Sequence, residues 1–364
     1  MKQTAMDSDV LFLPHEIIRN ILKRLPVKSL IRFQCVCKDW QNLIQNPSFI
    51  ADHLQQSTHE NPYLLLECID INIPLRWRLI LLDCGLQVRG FQYSPSNNYL
   101  RNASIVGSCN GLLCLEIHEF NRSPRSLSLW NPATTAVRHV PRTRTDFSYF
   151  NYCVTGFAFS PIVNDYKIVR TFSVFYDGVT QVEVFSLNRG TWKAKYIGNL
   201  KGVILKSETV TANGAIFWSG VKLVDEKEGE DNIDFQEDED YIEEAEDEVD
   251  VIVSFDIANE VFTLIPTPDW STSTSSLTMY ENKLAVLSCF ATRDSESFIE
   301  LWVMEDGSGA SWAKKYSSCL IPRVVRPEMT IWMNQIVCDA GEKEHYKEQI
   351  ITLLNISTNE LKAF

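Results

Sequence analysis

The chain has 364 residues, 45% of them hydrophobic, with nine tryptophans, which is enough for one small and one large domain. No run of 18 apolar residues occurs, and the N-terminus lacks the charged and apolar regions of a secretory signal. Neither a membrane span nor secretion is therefore predicted. The ten cysteines are scattered and form no C-x-x-C pair, which indicates reduced thiols and argues against a zinc site.

The net charge of −13 comes from one segment. Residues 225–250 contain sixteen acidic residues and one lysine, a charge of −15, so the rest of the chain carries about +2. Such a charge density predicts a solvated, disordered surface loop over residues 226–248. The alternative is a loop that steers a basic partner by electrostatics. The residues that would do so include Asp238, Glu239, Asp240, Glu243 and Glu244.

Residues 13–54 have helical periodicity. Ile17, Ile21 and Leu25 recur every four residues, and Pro26 ends this first helix. Further apolar residues then follow at spacings of three and four: Leu30, Phe33, Cys37, Trp40 and Ile44. Two or three helices in about 40 residues cannot bury their own apolar faces. The pattern therefore predicts a unit that completes its core against another protein.

The same residues resemble the F-box, in particular its plant form. The resemblance rests on Leu13-Pro14, on residues 25–30 (LPVKSL), on Val36-Cys37-Lys38 and on Trp40. It implies three helices over residues 9–54, with a break near Val36. The polar run QQSTHEN over 55–61 predicts a linker. It also implies docking on a Skp-type adaptor and, through that adaptor, on a cullin. The expected adaptor-binding residues are Leu13, Pro14, Ile17, Ile21, Leu25, Leu30, Cys37, Trp40 and Leu43.

From residue 62 onward, short β-type runs replace the helical pattern, with Gly, Pro, Asn, Asp and Ser between them. Repeated units begin at intervals of 45, 48, 57, 69 and 50 residues, and the 26-residue acidic segment accounts for the excess in the fourth. A period near 50 with several strands per unit is typical of propeller blades. The fold class is therefore a small all-α unit followed by an all-β propeller of about six blades, over residues 62–364.

This β region resembles the F-box-associated domain of plant F-box proteins. The resemblance rests on Trp130-Asn131-Pro132, Gly156-Phe157, residues 165–169 (DYKIV), residues 182–187 (VEVFSL) and residues 301–304 (LWVM). The domain is similar to kelch propellers, although the double glycine of kelch repeats is absent. Tryptophans recur at matching places in successive units, which favours packing between blades over ligand stacking. These are Trp130, Trp192, Trp218, Trp302 and Trp312.

No motif in the chain indicates catalysis. The six histidines form no local pair with metal-ligand spacing, and neither a G-x-S-x-G elbow nor a glycine-rich phosphate loop occurs. Basic residues form no stripe suited to nucleic acid. The two resemblances together imply a non-catalytic substrate-recognition subunit of an SCF-type ubiquitin ligase in the cytoplasm or nucleus, without a cofactor, whose propeller binds an unknown and possibly basic target.

Two alternatives remain open. One is a propeller enzyme that uses the F-box as a tether. The other is an S-locus F-box protein of pollen recognition, which the stretch at 156–170 (GFAFSPIVNDYKIVR) resembles.

Overall fold

The computed structural model describes residues 13–60, 62–70, 76–93, 102–118, 125–143, 145, 150, 152–174, 177–223, 248–268, 274–291, 297–305, 311–320, 329–342 and 349–363. In these residues, helices occupy the N-terminal part and strands the remainder. Within the described ranges, no helix is long and apolar enough to cross a membrane.

The N-terminal part forms α1 (His15–Lys23), α2 (Val27–Phe33), α3 (Lys38–Gln45) and α4 (Pro47–Glu60). Pro14 precedes α1 and Pro26 precedes α2, because a proline cannot continue a preceding helix but has a φ that suits the start of the next one. Cys37, with extended backbone angles, separates α2 from α3. The break near Val36 that the resemblance implies is therefore present.

The sequence predicts three helices here, and the structure has four. α4 belongs to the helical core because it buries Phe49, which is 1% exposed, against Leu22 of α1. An ion pair of 2.7 Å between Arg19 Nη2 and Asp52 Oδ2 also joins the two helices. The helix continues through residues 55–60, which the sequence pattern reads as a linker. Residues 55–60 (QQSTHE) are all polar, so they show no helical period in the sequence. The apolar contact of α4 with the helical core lies in its first turn, at Phe49.

The rest of the described chain is β structure. The first three strands form one sheet, here called the N-terminal sheet: β1 (Leu64–Asp70), β2 (Arg76–Leu82) and β3 (Val88–Tyr93). Five four-stranded antiparallel sheets follow, with their strands in chain order. Blade 1 consists of β4 (Asn102–Cys109), β5 (Leu112–His118), β6 (Ser126–Asn131) and β7 (Ala136–His139). Blade 2 consists of β8 (Tyr152–Ser160), β9 (Asp165–Val174), β10 (Gly178–Ser186) and β11 (Thr191–Lys195).

Blades 3 to 5 repeat the same order. Blade 3 consists of β12 (Val203–Ala212), β13 (Ala215–Leu223), β14 (Glu248–Asp256) and β15 (Val261–Pro266). Blade 4 consists of β16 (Thr274–Tyr280), β17 (Lys283–Ala291), β18 (Ser297–Glu305) and β19 (Ser311–Leu320). Blade 5 consists of β20 (Met329–Trp332), β21 (Gln335–Glu342), β22 (Gln349–Asn355) and β23 (Leu361–Ala363).

The sheets form a closed ring, because every neighbouring pair shares an apolar core. Successive blades from 1 to 5 are joined by four such cores. The N-terminal sheet packs on blade 5 through Leu64 and Leu82 and on blade 1 through Leu65. The predicted all-β propeller is therefore confirmed, but it has five four-stranded blades instead of about six. The N-terminal sheet, with three described strands, lies between blade 5 and blade 1 and packs on both.

Tight turns recur at one edge of the blades. The first turn is an Asn-Gly pair with positive φ in blades 1 and 3: 52° and 73° at Asn110-Gly111, and 48° and 76° at Asn213-Gly214. In blades 1, 3 and 5, a side-chain oxygen closes the turn before the last strand by accepting hydrogen bonds from two backbone N–H groups of the turn. This oxygen belongs to Asn131, Asp256 and Asn355, respectively. We call this edge of the ring the short-turn face. The opposite edge, the long-loop face, carries the connections between second and third strands and between blades.

Candidate functional site

An exposed row of apolar side chains lies on α1 and on the residues just before it. Leu13, two residues before the helix, is 54% exposed, and Ile17 and Ile21 on the helix are 45% and 48% exposed, although α1 buries Leu22 completely. Ile17 and Ile21 are one helical turn apart and share a face. We call Leu13, Ile17 and Ile21 the apolar row. Its side chains are not used by the helical core, so they are available to another molecule.

The nine predicted adaptor-binding residues fall into two groups. Leu13, Pro14, Ile17, Ile21 and Cys37 are exposed. The remaining four belong to the helical core, with Leu25 and Trp40 half-buried and Leu30 and Leu43 buried.

The four core residues hold the helices together. The rings of Phe33 and Trp40 meet at a centroid distance of 5.5 Å, and the imidazole Nε2 of His53 lies 2.9 Å from the carbonyl oxygen of Leu25. The hydrogen bond from Arg19, together with its positive charge, holds the pKa of Asp52 below its usual value. The bridge between α1 and α4 therefore stays charged, and it fixes the helix that carries the apolar row.

Two further exposed apolar side chains were not predicted as site residues. Ile31 on α2 is 41% exposed, and Val36 in the turn after it is 61% exposed. Both lie off the periodic stripe formed by the core residues of α2 and α3. An apolar residue outside such a stripe has no place in the core, and this was the signal that could have identified them.

The recurrent tryptophans pack between blades, as predicted, at four of five positions. At each of these four positions, the tryptophan is part of the core shared with a neighbouring sheet or packs against it. The four are Trp130, Trp192, Trp218 and Trp312. Trp192 donates its indole N–H to Pro141 O at 2.6 Å, and Trp312 donates to Pro266 O at 2.9 Å. The ring of Trp302 instead contacts a residue of its own blade. The ammonium group of Lys314, on the neighbouring strand, lies 4.7 Å from the ring centroid.

A charged cluster joins blades 2 and 3 at the short-turn face. Glu260 binds Lys167 at 2.7 Å and Lys195 at 2.9 Å, and Lys167 also donates to Ile257 O at 2.7 Å. Burial would raise the pKa of Glu260, but hydrogen bonds and positive charge from the two lysines outweigh it and lower the pKa to about 2. Every member of the cluster has a partner within the fold, so it is a structural link between blades.

A second polar cluster lies between blades 1 and 2. Glu116 accepts from Arg125 at 2.9 Å, from Arg170 at 3.4 Å and from Thr155 at 3.3 Å. Arg170 Nη2 also donates to Arg125 O at 2.7 Å. Buried charges of this kind require partners, and here the partners come from four strands or their flanking residues. The arrangement joins two blades and offers no reactive group to solvent.

The described chain has no arrangement typical of a metal centre, since no group of three His, Cys, Asp or Glu side chains lies close enough within it. The eight cysteines whose side chains the structure describes are free thiols. Burial raises the pKa of Cys153 to about 11 and that of Cys338 to about 12, so both stay protonated and poorly nucleophilic.

The acidic segment connects two paired strands. β13 and β14 stay in register up to the pair Leu223 and Glu248, at the long-loop face of blade 3. Residues 224–247 lie outside the described residues, and with them the steering residues Asp238, Glu239, Asp240, Glu243 and Glu244. The position of the segment between intact neighbouring strands is that of an insertion in a hairpin connection.

Comparison with known proteins gives two family matches. Residues 86–352 match the F-box associated beta propeller domain, and residues 10–52 match the F-box domain. F-box protein At3g07870 of Arabidopsis thaliana is 27% identical over 342 residues, covering 88% of this chain and 77% of that protein. Putative F-box protein At5g52610 of the same plant is 27% identical over 343 residues, covering 90% and 84%. Among solved structures, TolB from Acinetobacter baumannii is similar with a TM-score of 0.47 and 11% identity, covering 86% of this chain and 67% of TolB.

Proposed function

Because this chain belongs to the F-box proteins that carry an F-box associated β-propeller domain, we propose that it is the substrate-recognition subunit of an SCF-type ubiquitin ligase. In this proposal, the four-helix unit binds a Skp-type adaptor and, through it, a cullin. The propeller binds the target protein. Such a subunit acts in the cytoplasm or the nucleus, where the rest of the ligase is found.

The observation that carries the proposal is the apolar row. Leu13, just before α1, and Ile17 and Ile21 on α1 are about half exposed, whereas Leu22 of the same helix is completely buried. Burying a large aliphatic side chain contributes about 1.5–3 kcal/mol. Three such residues, with Ile31 and Val36 nearby in the chain, can supply much of the roughly 8 kcal/mol that micromolar binding requires.

The mechanism needs no catalytic step in this chain. A target held on the propeller has its lysines near ubiquitin that is carried by another subunit. This turns a bimolecular encounter into a nearly intramolecular one, and the local concentration of lysine rises accordingly. The acidic segment would attract a basic target, with Asp238, Glu239, Asp240, Glu243 and Glu244 contributing to the attraction. The S-locus alternative remains a prediction that pollen-restricted expression would support.

The test removes the apolar row without disturbing the helical core. In the double variant Ile17→Asp/Ile21→Asp, each charged side chain replaces an exposed one, so we expect an unchanged melting temperature. Capture of a Skp-type adaptor in co-purification should fall below detection, because two charges would be buried at the interface. Adaptor capture at wild-type yield by this variant would contradict the proposal.

The matched control is Ile162→Asp. Ile162 is 83% exposed in a turn of blade 2, so the chemical change is the same and the position is on the propeller. We expect this variant to bind the adaptor normally. Substitutions at Leu30, Leu43 or Trp40 are less informative, because these residues stabilise the helical unit itself.

A further inference from the structure

The three described strands of the N-terminal sheet correspond to the last three strands of a blade. β1 begins at the short-turn face, because Leu64 packs with Trp332, which directly precedes the first turn of blade 5. In blades 1 to 5, the first strand ends at that face and the second strand begins there. β1 therefore runs in the direction of a second strand, and β2 and β3 take the places of the third and the fourth.

The turn between β2 and β3 supports this assignment. Asp83 Oδ1 accepts the backbone N–H groups of Gly85 and Gln87, each at 2.9 Å. In blades 1, 3 and 5, a side-chain oxygen likewise accepts two backbone N–H groups in the turn before the last strand. The place that corresponds to a first strand therefore lies beside β1, on the edge away from β2.

This place lies near the centre of the ring. The first strands of neighbouring blades contact one another around the axis: β4 with β8, β8 with β12, β12 with β16 and β16 with β20. β8, which has a first strand on each side, is buried from Val154 to Ala158. β4 and β20 flank the place beside β1 and are more exposed, since Ile105 of β4 is half-buried and Thr330 of β20 is exposed. Their exposure indicates open space along the inner edge of β1.

A buried donor lies next to this space. Trp332, the last residue of β20, is 8% exposed and packs on the N-terminal sheet, and its indole N–H has no acceptor among the described residues. Buried donors normally have an acceptor, and Trp192 and Trp312 each donate to a backbone carbonyl. First strands provide such acceptors to one another, since Thr211 of β12 donates to Phe157 O of β8 at 3.0 Å. A strand beside β1 would offer Trp332 a carbonyl oxygen.

We propose that the inner edge of β1 binds an extended, uncharged segment of the target protein as the innermost strand of the N-terminal sheet. This inference rests on the function proposed above and states how the target is held. β1 pairs only with β2 among the described strands, so its other edge presents backbone N–H and C=O groups that an extended chain can pair with. Trp332 donates its indole N–H to a carbonyl oxygen of the segment near the short-turn face.

The flanking side chains determine which segment fits. Leu66 of β1 packs in the core shared with blade 5, and Leu65 packs in the core shared with blade 1. A strand paired with β1 has its side chains alternately on the same two sides, so all of them meet apolar surroundings. The first strands of the blades have four to ten residues. The segment is therefore a run of this length, rich in Val, Ile and Thr. A charged segment would bury its charges, and a proline would remove a backbone donor.

The experiment uses the full chain co-expressed with a Skp-type adaptor and three labelled peptides of equal length. The apolar peptide has the core Thr-Val-Ile-Val-Thr-Val between Gly-Ser ends. The methylated peptide carries N-methyl groups on all core nitrogens, and the acidic peptide has glutamate in place of each valine. By fluorescence anisotropy, we expect the apolar peptide to bind and the methylated one to bind about tenfold more weakly or worse, because its backbone cannot donate to β1. The acidic peptide should not bind, and hydrogen exchange over Leu64–Asp70 should slow when the apolar peptide is bound.

Trp332→Phe removes the buried donor and keeps an aromatic ring. It should weaken binding of the apolar peptide about two- to tenfold, the value of one hydrogen bond. Trp312→Phe is the matched control, because it makes the same chemical change in blade 4, where the indole N–H already donates to Pro266 O. Its affinity for the apolar peptide should equal that of the wild type. Circular dichroism establishes that both variants are folded, and the comparison of the three peptides needs no variant.

Equal binding of the apolar and methylated peptides would overturn the inference, as would equal affinities of the wild type and Trp332→Phe for the apolar peptide. A dimer that slows exchange over Leu64–Asp70 without peptide would assign the edge to a second copy of the chain and would also overturn it. Adaptor capture is measured on the same samples. Its loss would count against the proposed function alone, and failure of the apolar peptide to bind would count against this inference alone.

Discussion

The four-helix unit and the propeller use their apolar residues differently. In the helical unit, one face of α1 buries Leu22 while the adjacent face leaves Ile17 and Ile21 about half exposed. In the propeller, every sheet has a neighbour on each side, and each interface has an apolar core. The propeller therefore covers its sheets within one chain, whereas the helical unit retains apolar surface for a partner.

This difference follows from size and closure. A unit of four short helices has too little interior for all its apolar side chains, so some remain in water unless another protein covers them. A ring of sheets has no such limit, because each added sheet covers the previous one and closure covers the last. Specificity in the propeller is consequently left to exposed loops and turns.

The largest expected effect tests the helical side of this comparison at two adjacent residues of α4. Phe49 is 1% exposed and Ile50 is 53% exposed. Phe49→Ala should destabilise the helical unit by about 3–5 kcal/mol, since it leaves a cavity in the core. Ile50→Ala should change stability by about 0.5 kcal/mol or less. Chemical unfolding followed by the helical circular dichroism signal measures both.

The adjacent pair controls for position in the helix and for changes in helix propensity. If Phe49→Ala and Ile50→Ala shifted the unfolding midpoint equally, α4 would not contribute to the core as described. Adaptor capture by Ile50→Ala should match the wild type, because Ile50 lies outside the apolar row.

A medium effect tests the propeller side, at the link between blades 2 and 3. The folded pKa of Glu260, about 2, lies below its unfolded value of roughly 4.3. The carboxylate therefore adds stability that is fully present above the unfolded pKa and is lost as pH falls toward the folded pKa. A shift of this size corresponds to at most about 3 kcal/mol. Glu260 and Lys195 are partly exposed, and solvent weakens their attraction, so Glu260→Gln should cost about 1 kcal/mol at neutral pH. The gap to the wild type should narrow between about pH 5 and pH 3, as measured by urea unfolding at several pH values.

Glu305→Gln is the control, since Glu305 pairs with Lys315 at 3.7 Å and both side chains are about half exposed. An exposed pair of this kind contributes little. Its unfolding curves should overlap those of the wild type at every pH. A constant gap between Glu260→Gln and wild type down to pH 3 would show that the carboxylate charge is not what stabilises the blade interface.

The smallest expected effect on stability concerns residues 226–248. Replacing them with a short Gly-Ser linker shortens a connection between paired strands, and each halving of loop length gains only about 0.6 kcal/mol. The melting temperature and adaptor capture should therefore change little. If the target is basic, its association rate should fall and its salt dependence flatten, because the sixteen acidic residues at 225–250 supply nearly all of the excess negative charge.

A large drop in melting temperature after this replacement would mean that the segment is part of the fold. A scrambled segment of the same composition is the matched control. It should restore the association rate if net charge is what attracts the target, and it would fail to do so if a particular order of residues were required.

Several features of the structure could be predicted from local sequence patterns. The spacing of Ile17, Ile21 and Leu25 is the period of a helix, and α1 includes the first two of these residues and ends at Lys23. Asn110-Gly111 and Asn213-Gly214 predict hairpin turns because these residues tolerate positive φ, and both turns have it. The period near 50 reflects the length of one blade. Patterns of this kind depend on neighbours in the chain, so they are visible without knowledge of the fold.

What the tertiary structure alone decided depends on residues far apart in the sequence. Leu30 and Ile17 are both apolar residues on short amphipathic helices, yet one is buried and the other exposed, because α4 covers only one side of the unit. Glu260 meets Lys167 across 93 positions, a contact that no periodicity encodes. The number of blades depended on how the first sheet closes the ring between blades 1 and 5. The sequence by itself determined the elements and their order, since these follow from local backbone preference and periodicity, while burial, charge pairing and closure required the packed chain.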